Sequence, residues 1–193
     1  ALVPGTEDRE VHPLALEQRT PILQHALERM PPDSVLDHLS ARLQQGPETG
    51  TRLMIAGLLG SVDDPRAAEL LLALIQDLDA LVLGRPYVQE VLESALAAQL
   101  LQRPDALDGV WQGAHGAPPE RLVVFARAVG ATRTAHGIGL LASWIDLYPE
   151  ADAELLTQIG RVVGEGGLAA APEALAAVRS KIHASEPGVR RRA

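Results

Sequence analysis

Six histidines, one adjacent aspartate pair, one glycine-rich run and two tryptophans are the residues of this 193-residue chain whose types could do chemistry. His12, His25 and His38 are spaced by thirteen, and a shared metal would need their imidazoles on one side. Thirteen residues turn a helix by about 220°, so the three do not share a face. Neither the HExxH helix nor paired CxxC of a zinc site occurs. Asp63 and Asp64 could form a carboxylate pair, but adjacent acids ahead of Pro65 more simply supply a helix cap and a first-turn charge. Gly164, Glu165, Gly166 and Gly167 lack the Lys and Ser/Thr of a phosphate loop, and Glu165 would repel phosphate, so the run reads as an inter-helix turn. No GxSxG elbow marks a nucleophile. Trp111 and Trp144 could wall an aromatic pocket, although packing is the favoured account of Trp144. With no catalytic, metal or cofactor constellation, the chain is expected not to be an enzyme.

Composition narrows the elements that must carry these residues. Ala and Leu dominate and aromatics are 3%, and the β-branched residues form no alternating runs, so an all-α fold is expected. A formal charge of -8 and pI near 5.2 argue against a phosphate track or an anionic membrane surface. The absence of cysteine excludes disulfides and fits a reducing, cytoplasmic compartment. The start at Ala1 leads us to expect that something upstream has been removed, and an exported domain freed of its signal would look the same. Lys181 is the sole lysine among seventeen basic residues, which reads as a coding bias.

Residues 1–12 read as an extended lead-in and 13–193 as one helical domain. Helical spacing begins at Pro13 and runs to Met30, with Pro21 as a kink or break. A second helix is expected over about 33–45. The central stretch, 51–78, reads as two helices around Gly60, Asp64 and Pro65, with Asp64 as cap and Pro65 in the first helical position. A partly apolar link, 79–86, precedes a helix over 87–102. A short helix over 104–111 and a Gly/Pro-rich loop over 112–119 follow.

A period then emerges. Gly130 lies 70 residues after Gly60, and Gly164 lies 34 after Gly130, the interval of stacked helical hairpins. Ala56, Ala126 and Gly160 stand four residues before each glycine. Leu71 maps onto Leu141 and Leu175, Leu74 onto Trp144 and Val178, and Leu78 onto Tyr148 and Ile182. The same apolar stripe recurs three times.

Leu59, Gly60, Asp64, Pro65, Arg66 and Ala67 make the central repeat similar to the HEAT-like family, especially the short bacterial type also found in phycobilin lyases. Elsewhere the pattern departs, with Thr134, Ala135 and His136 in place of Asp64, Pro65 and Arg66. Tetratricopeptide repeats share the period but not the aromatic and glycine marks. The resemblance implies an α-solenoid of about five antiparallel hairpins. Ser185 to Val189 and Arg190 to Arg192 look like the start of another first helix, so a fragment of a longer array is expected.

In such arrays the second helices line the concave side. Between the core stripes there stand Glu69, Ala73 and Gln76, then Gly139, Ser143 and Asp146, then Glu173, Ala177 and Ser180. The candidate partner-binding residues are Arg66, Glu69, Gln76, His136, Ser143, Asp146 and Glu173, and the expected role is a scaffold for a protein or peptide, mildly basic or uncharged. Further repeats of the same chain are the other expected partner. A phycobilin-lyase-like role in handling a chromophore is the alternative, and a HEAT-like nucleic-acid binder or glycosylase ranks third for want of a basic strip.

Overall fold

The structure, a computed structural model, describes residues 30–145 and 147–166. These residues are all helical. The helices are α1 (Pro32–Gln44), α2 (Thr49–Leu59), α3 (Pro65–Asp77), the single turn α4 (Ala80–Leu83), α5 (Pro86–Gln102), α6 (Leu107–Ala114), α7 (Pro119–Thr132), α8 (Ala135–Trp144) and α9 (Asp152–Gly166). Short 3₁₀ turns, Pro104–Ala106 and Pro149–Ala151, lead into α6 and α9. No described helix is long and apolar enough to cross a membrane.

Local sequence explains where the helices start. Proline occupies the first position of α1, α3, α5 and α7, where its missing N–H and fixed φ cost nothing. The Asp64 carboxylate accepts from the Arg66 N–H at 2.8 Å and Asp79 from the Val82 N–H at 2.9 Å, while Thr134 Oγ1 accepts from the Gly137 N–H at 3.0 Å. Each satisfies a donor that the first turn leaves open. The α7 helix ends with Arg133 in the left-handed conformation at φ 54°, which halts the helix and aims the chain back towards α8.

The helices fall into two rows by their contacts. In the first, α2 packs on α5, α5 on α7, and α7 on α9; in the second, α1 packs on α3 and α3 on α6. Trp111 of α6 stacks on Trp144 of α8, with ring centroids 6.3 Å apart, which continues the second row. Between the rows lies one core that includes Leu36, Leu59, Leu71, Ile75, Leu96, Phe125 and Trp144. Leu71, Leu74, Leu141 and Trp144 are all buried there. Leu175, Val178 and Ile182 lie outside the described residues, as do the lead-in and the expected helical run before Met30.

Several boundaries differ from the sequence reading. The expected loop over 112–119 is helical as far as Ala114, because Gly113 serves close packing rather than a turn: a Cβ there would come 2.9 Å from Gln76 Nε2. The link between α3 and α5 contains α4, whose Leu83 is buried. Gly164 is no turn either, since α9 runs through it to Gly166.

Of the three recurring glycines Gly60 marks the expected break, and Gly164 has nothing within 4 Å of where a Cβ would stand. Gly60 ends α2, but Gly130 lies inside α7. What they share is a neighbouring helix pressed against them. A Cβ at Gly60 would stand 2.8 Å from Ala95 Cα of α5, and one at Gly130 would stand 2.7 Å from Gln158 Oε1 of α9. Side chains are thus excluded where first-row helices cross.

Polar side chains tie helices together both within the first row and between the rows. Gln99 of α5 donates from Nε2 to the Leu59 carbonyl at 2.6 Å and the Val62 carbonyl at 2.8 Å, filling acceptors that the end of α2 leaves open. Arg121 of α7 donates to the Gln76 carbonyl at 2.7 Å, placing a cation at the negative end of α3. Burial lowers the pKa of this guanidinium from its ordinary value.

Candidate functional site: two grooves on the second row

Among the described residues, two grooves open on the second row, each between consecutive helices. The larger, about 520 Å³, lies between α6 and α8 and is lined by Trp111, Ala135, His136, Gly139, Leu140 and Ser143. The α8 residues recur at helical spacing, so they form one stripe facing the Trp111 wall. Small side chains at Ala135, Gly139 and Ser143 leave the floor open.

The Trp111 wall is braced from behind. Its indole stacks on the fully buried Trp144, which meets Tyr148 edge to face with centroids 6.0 Å apart, and His115 meets Trp111 edge-on at 5.1 Å. His115 Nδ1 also lies 2.9 Å from the Trp111 carbonyl. Ser143 donates to the Leu140 carbonyl at 2.7 Å, so its oxygen faces the groove as an acceptor.

The second groove, about 270 Å³, lies between α1 and α3. Leu43, Leu70, Ala73 and Leu74 supply its apolar walls, and Ser40, Gln44, Arg52 and Asp77 its polar lining. Asp77 is paired with Arg52 at 2.6 Å, yet its side chain is 70% exposed against 24% for Arg52. Both groups line the groove, so the pair leaves it close to neutral there, and Arg52 also donates to the Pro47 carbonyl at 3.1 Å.

Both grooves sit at the same register. Leu70 and Ala73 of the smaller correspond, 70 residues on, to Leu140 and Ser143 of the larger. Between them the α3/α6 crossing is shut, because Gly109 and Gly113 admit Leu72 and Gln76 of α3; a Cβ at Gly109 would come 2.7 Å from Leu72 Cδ1.

His136 and Ser143 both line the larger groove. Glu69 and Gln76 are exposed on α3 but line neither groove. Arg66 is engaged within the fold: it donates to Asp37 at 2.5 Å and lies 3.5 Å from Asp33, tying α3 to α1. Asp146 and Glu173 lie outside the described residues, as do His12 and His25. Ser40, Leu43, Gln44, Arg52 and Asp77 were missed. The signal that could have found Asp77 is its place one helical turn beyond Ala73 on the same face.

A charged cluster crosses the first row. Arg127 of α7 donates to both carboxylate oxygens of Glu154 of α9, at 3.0 and 3.2 Å, and to Gln89 of α5 at 3.2 Å. Burial alone would push Glu154 up, but the hydrogen bonds from Arg127 and Gln158, with the Arg127 charge, hold it below the ordinary carboxylate value. Glu93 is pushed above that value, chiefly by burial, despite Arg127 and Arg161.

Opposite pH signs follow. Glu154 stabilises the fold above its unfolded pKa, and that contribution is lost as pH falls through its depressed folded value. Glu93 destabilises the fold at neutral pH, and protonation through its raised folded value relieves this cost. Glu154→Gln should destabilise by about 1–2 kcal/mol at pH 7 and by progressively less towards acid. Glu93→Gln should be neutral or stabilising at pH 7. Denaturant midpoints measured from pH 3 to 8 check both signs.

Compared with known proteins, the chain matches no family model, no curated protein and no solved structure.

Proposed function

We propose that this chain is a HEAT-like helical-repeat scaffold, an α-solenoid whose second-row face docks a protein or peptide. The recurrence of a groove at one register, at α1/α3 and again at α6/α8, carries the reading. A repeated receptor for side chains suits a polymeric ligand, because several modest contacts along one strand add to a useful affinity. The fold supplies the class of function by analogy; the grooves supply its location.

Selecting a random peptide library on the full chain tests this. Enriched peptides should bind wild type and lose at least about tenfold in affinity with Ser143→Arg, which fills the larger groove from an exposed position that leaves stability within about ±0.5 kcal/mol. Peptides indifferent to Ser143→Arg would defeat the reading.

One observation favours a second reading, the handling of a planar chromophore in the manner of phycobilin lyases. Trp111 borders a shallow, open groove, a surface on which a planar ring system could stack. Titration with a free bilin, followed by its absorbance and by quenching of tryptophan emission, separates the two: saturable binding abolished by Ser143→Arg would favour the chromophore.

A further inference from the structure

The chain has two tryptophans, two tyrosines and no cysteine, so four aromatic rings are its readily oxidised side chains. Three of the four stand in one line. Tyr148 follows Trp144 by about one helical turn, and its N–H donates to the Trp144 carbonyl at 2.9 Å, which sets its ring beside the indole. Trp111 reaches the other side of Trp144 from α6. The ring centroids of Trp111 and Trp144 are 6.3 Å apart with the planes inclined by 19°, and those of Trp144 and Tyr148 are 6.0 Å apart. Both separations are those of rings in contact. Tyr87 pairs with no ring among the described residues.

The two ends of the line are half-buried and its middle is sealed. Trp111 borders the larger groove, Tyr148 lies in the link after α8, and Trp144 between them is fully buried. Electron transfer between side chains weakens exponentially with separation, so an electron missing from Trp111 is replaced first from Trp144 and then from Tyr148. The last step runs downhill, because at neutral pH a phenol gives up an electron together with its proton more readily than an indole does.

The surroundings of each ring suit its place. The Trp144 Nε1–H is buried without an acceptor, so an oxidised indole there finds no base to take its proton, and the positive hole stays free to move on. Burial, and then the charge of Glu150, raise the pKa of the Tyr148 phenol above its ordinary value. That ring therefore holds its proton until the electron leaves, and its half-buried position lets water take the proton then.

We infer that Trp111, Trp144 and Tyr148 form a one-electron relay: a diffusible one-electron oxidant that takes an electron from Trp111 at the groove leaves a hole that moves through Trp144 to Tyr148. In balance, the oxidant gains one electron, Tyr148 loses one electron and gives its phenolic proton to water, and both tryptophans return to their starting state. The relay does not depend on the docking function proposed above, since a small oxidant needs only access to Trp111.

Flash photolysis of the full chain, with tris(bipyridine)ruthenium(II) as photo-oxidant and a cobalt(III) ammine as irreversible quencher, tests it. Every sample carries Tyr87→Phe, which leaves Tyr148 as the sole tyrosine. A tryptophan radical should appear first, and the tyrosyl radical should then grow as the tryptophan radical decays, at a rate independent of protein concentration. Trp144→Phe keeps a ring in the stack that this oxidant cannot oxidise. It should abolish the coupled growth and leave a long-lived tryptophan radical at Trp111. Trp111→Phe, at a half-buried position, breaks the line at its entrance and should remove the tryptophan radical that precedes the tyrosyl one. Melting curves confirm that both variants are folded when assayed. Coupled growth that survives either substitution, that scales with protein concentration, or that is absent from the Tyr87→Phe reference would overturn the relay.

Discussion

Trp144→Ala should destabilise the protein by about 3–5 kcal/mol, the cost of truncating a large core side chain when the surroundings collapse only in part. Trp144 is fully buried and sits between Trp111 and Tyr148, so its removal empties the centre of a three-ring stack. Its indole Nε1 is buried without a hydrogen-bond partner, so part of the native side chain works against the fold. Trp144→Phe should accordingly cost much less than Trp144→Ala, since it removes the unmatched N–H and keeps most of the ring contact. Equilibrium denaturation of the two variants checks the order. A Trp144→Ala protein as stable as wild type would mean that the residue is not a core position.

The second large effect is expected where α2 and α5 cross. Gly60→Ala brings a Cβ to 2.8 Å from Ala95 Cα and 3.1 Å from its carbonyl oxygen, and backbone atoms cannot rotate aside. A destabilisation of about 1–3 kcal/mol follows from such overpacking. Gly130→Ala makes an informative contrast. Its obstacles all belong to the Gln158 side chain: Oε1 at 2.7 Å can swing away, while Cβ at 3.0 Å cannot and asks α9 to give by a few tenths of an ångström. Gly130 also lies inside a helix, where alanine is favoured over glycine by up to about 1 kcal/mol. The net change there should fall within about ±1 kcal/mol. Parallel thermal melts distinguish the sites, and equal losses at both would show that the two crossings are not packed as described.

The all-helical class and the central hairpin were legible because the signals are local. Asp64 and Pro65 mark a helix start by chemistry that acts within three residues, and Leu71 and Leu74 repeat at Leu141 and Trp144 by counting alone. Glycine was harder to read, since one residue type serves both as a breaker and as a seat for another helix. Gly113, Gly130 and Gly164 all looked like punctuation, yet each lies within a helix. The site was legible in part. His136 and Ser143 follow from register, whereas Arg66 looked available until Asp37, 29 residues away, was brought beside it by α1 packing on α3. Ser40, Leu43 and Gln44 lie on α1, which a 70-residue step lays over α6, but a shared register marks the helix and not which of its residues border a groove.

The single turn α4 has a consequence for how much chain length the molecule can absorb. First-row helices begin at Thr49, Pro86, Pro119 and Asp152; the last two steps are equal, and the first is longer by four residues, the length of α4 itself. Those extra residues leave both rows in step, because Leu83 is buried while Leu81 is 87% exposed and turned outward. The link at Leu81 thus behaves as an expansion joint. A label, a tether or a short foreign loop inserted there adds length away from the packed layers, since closing a longer loop costs only about 0.6 kcal/mol per doubling.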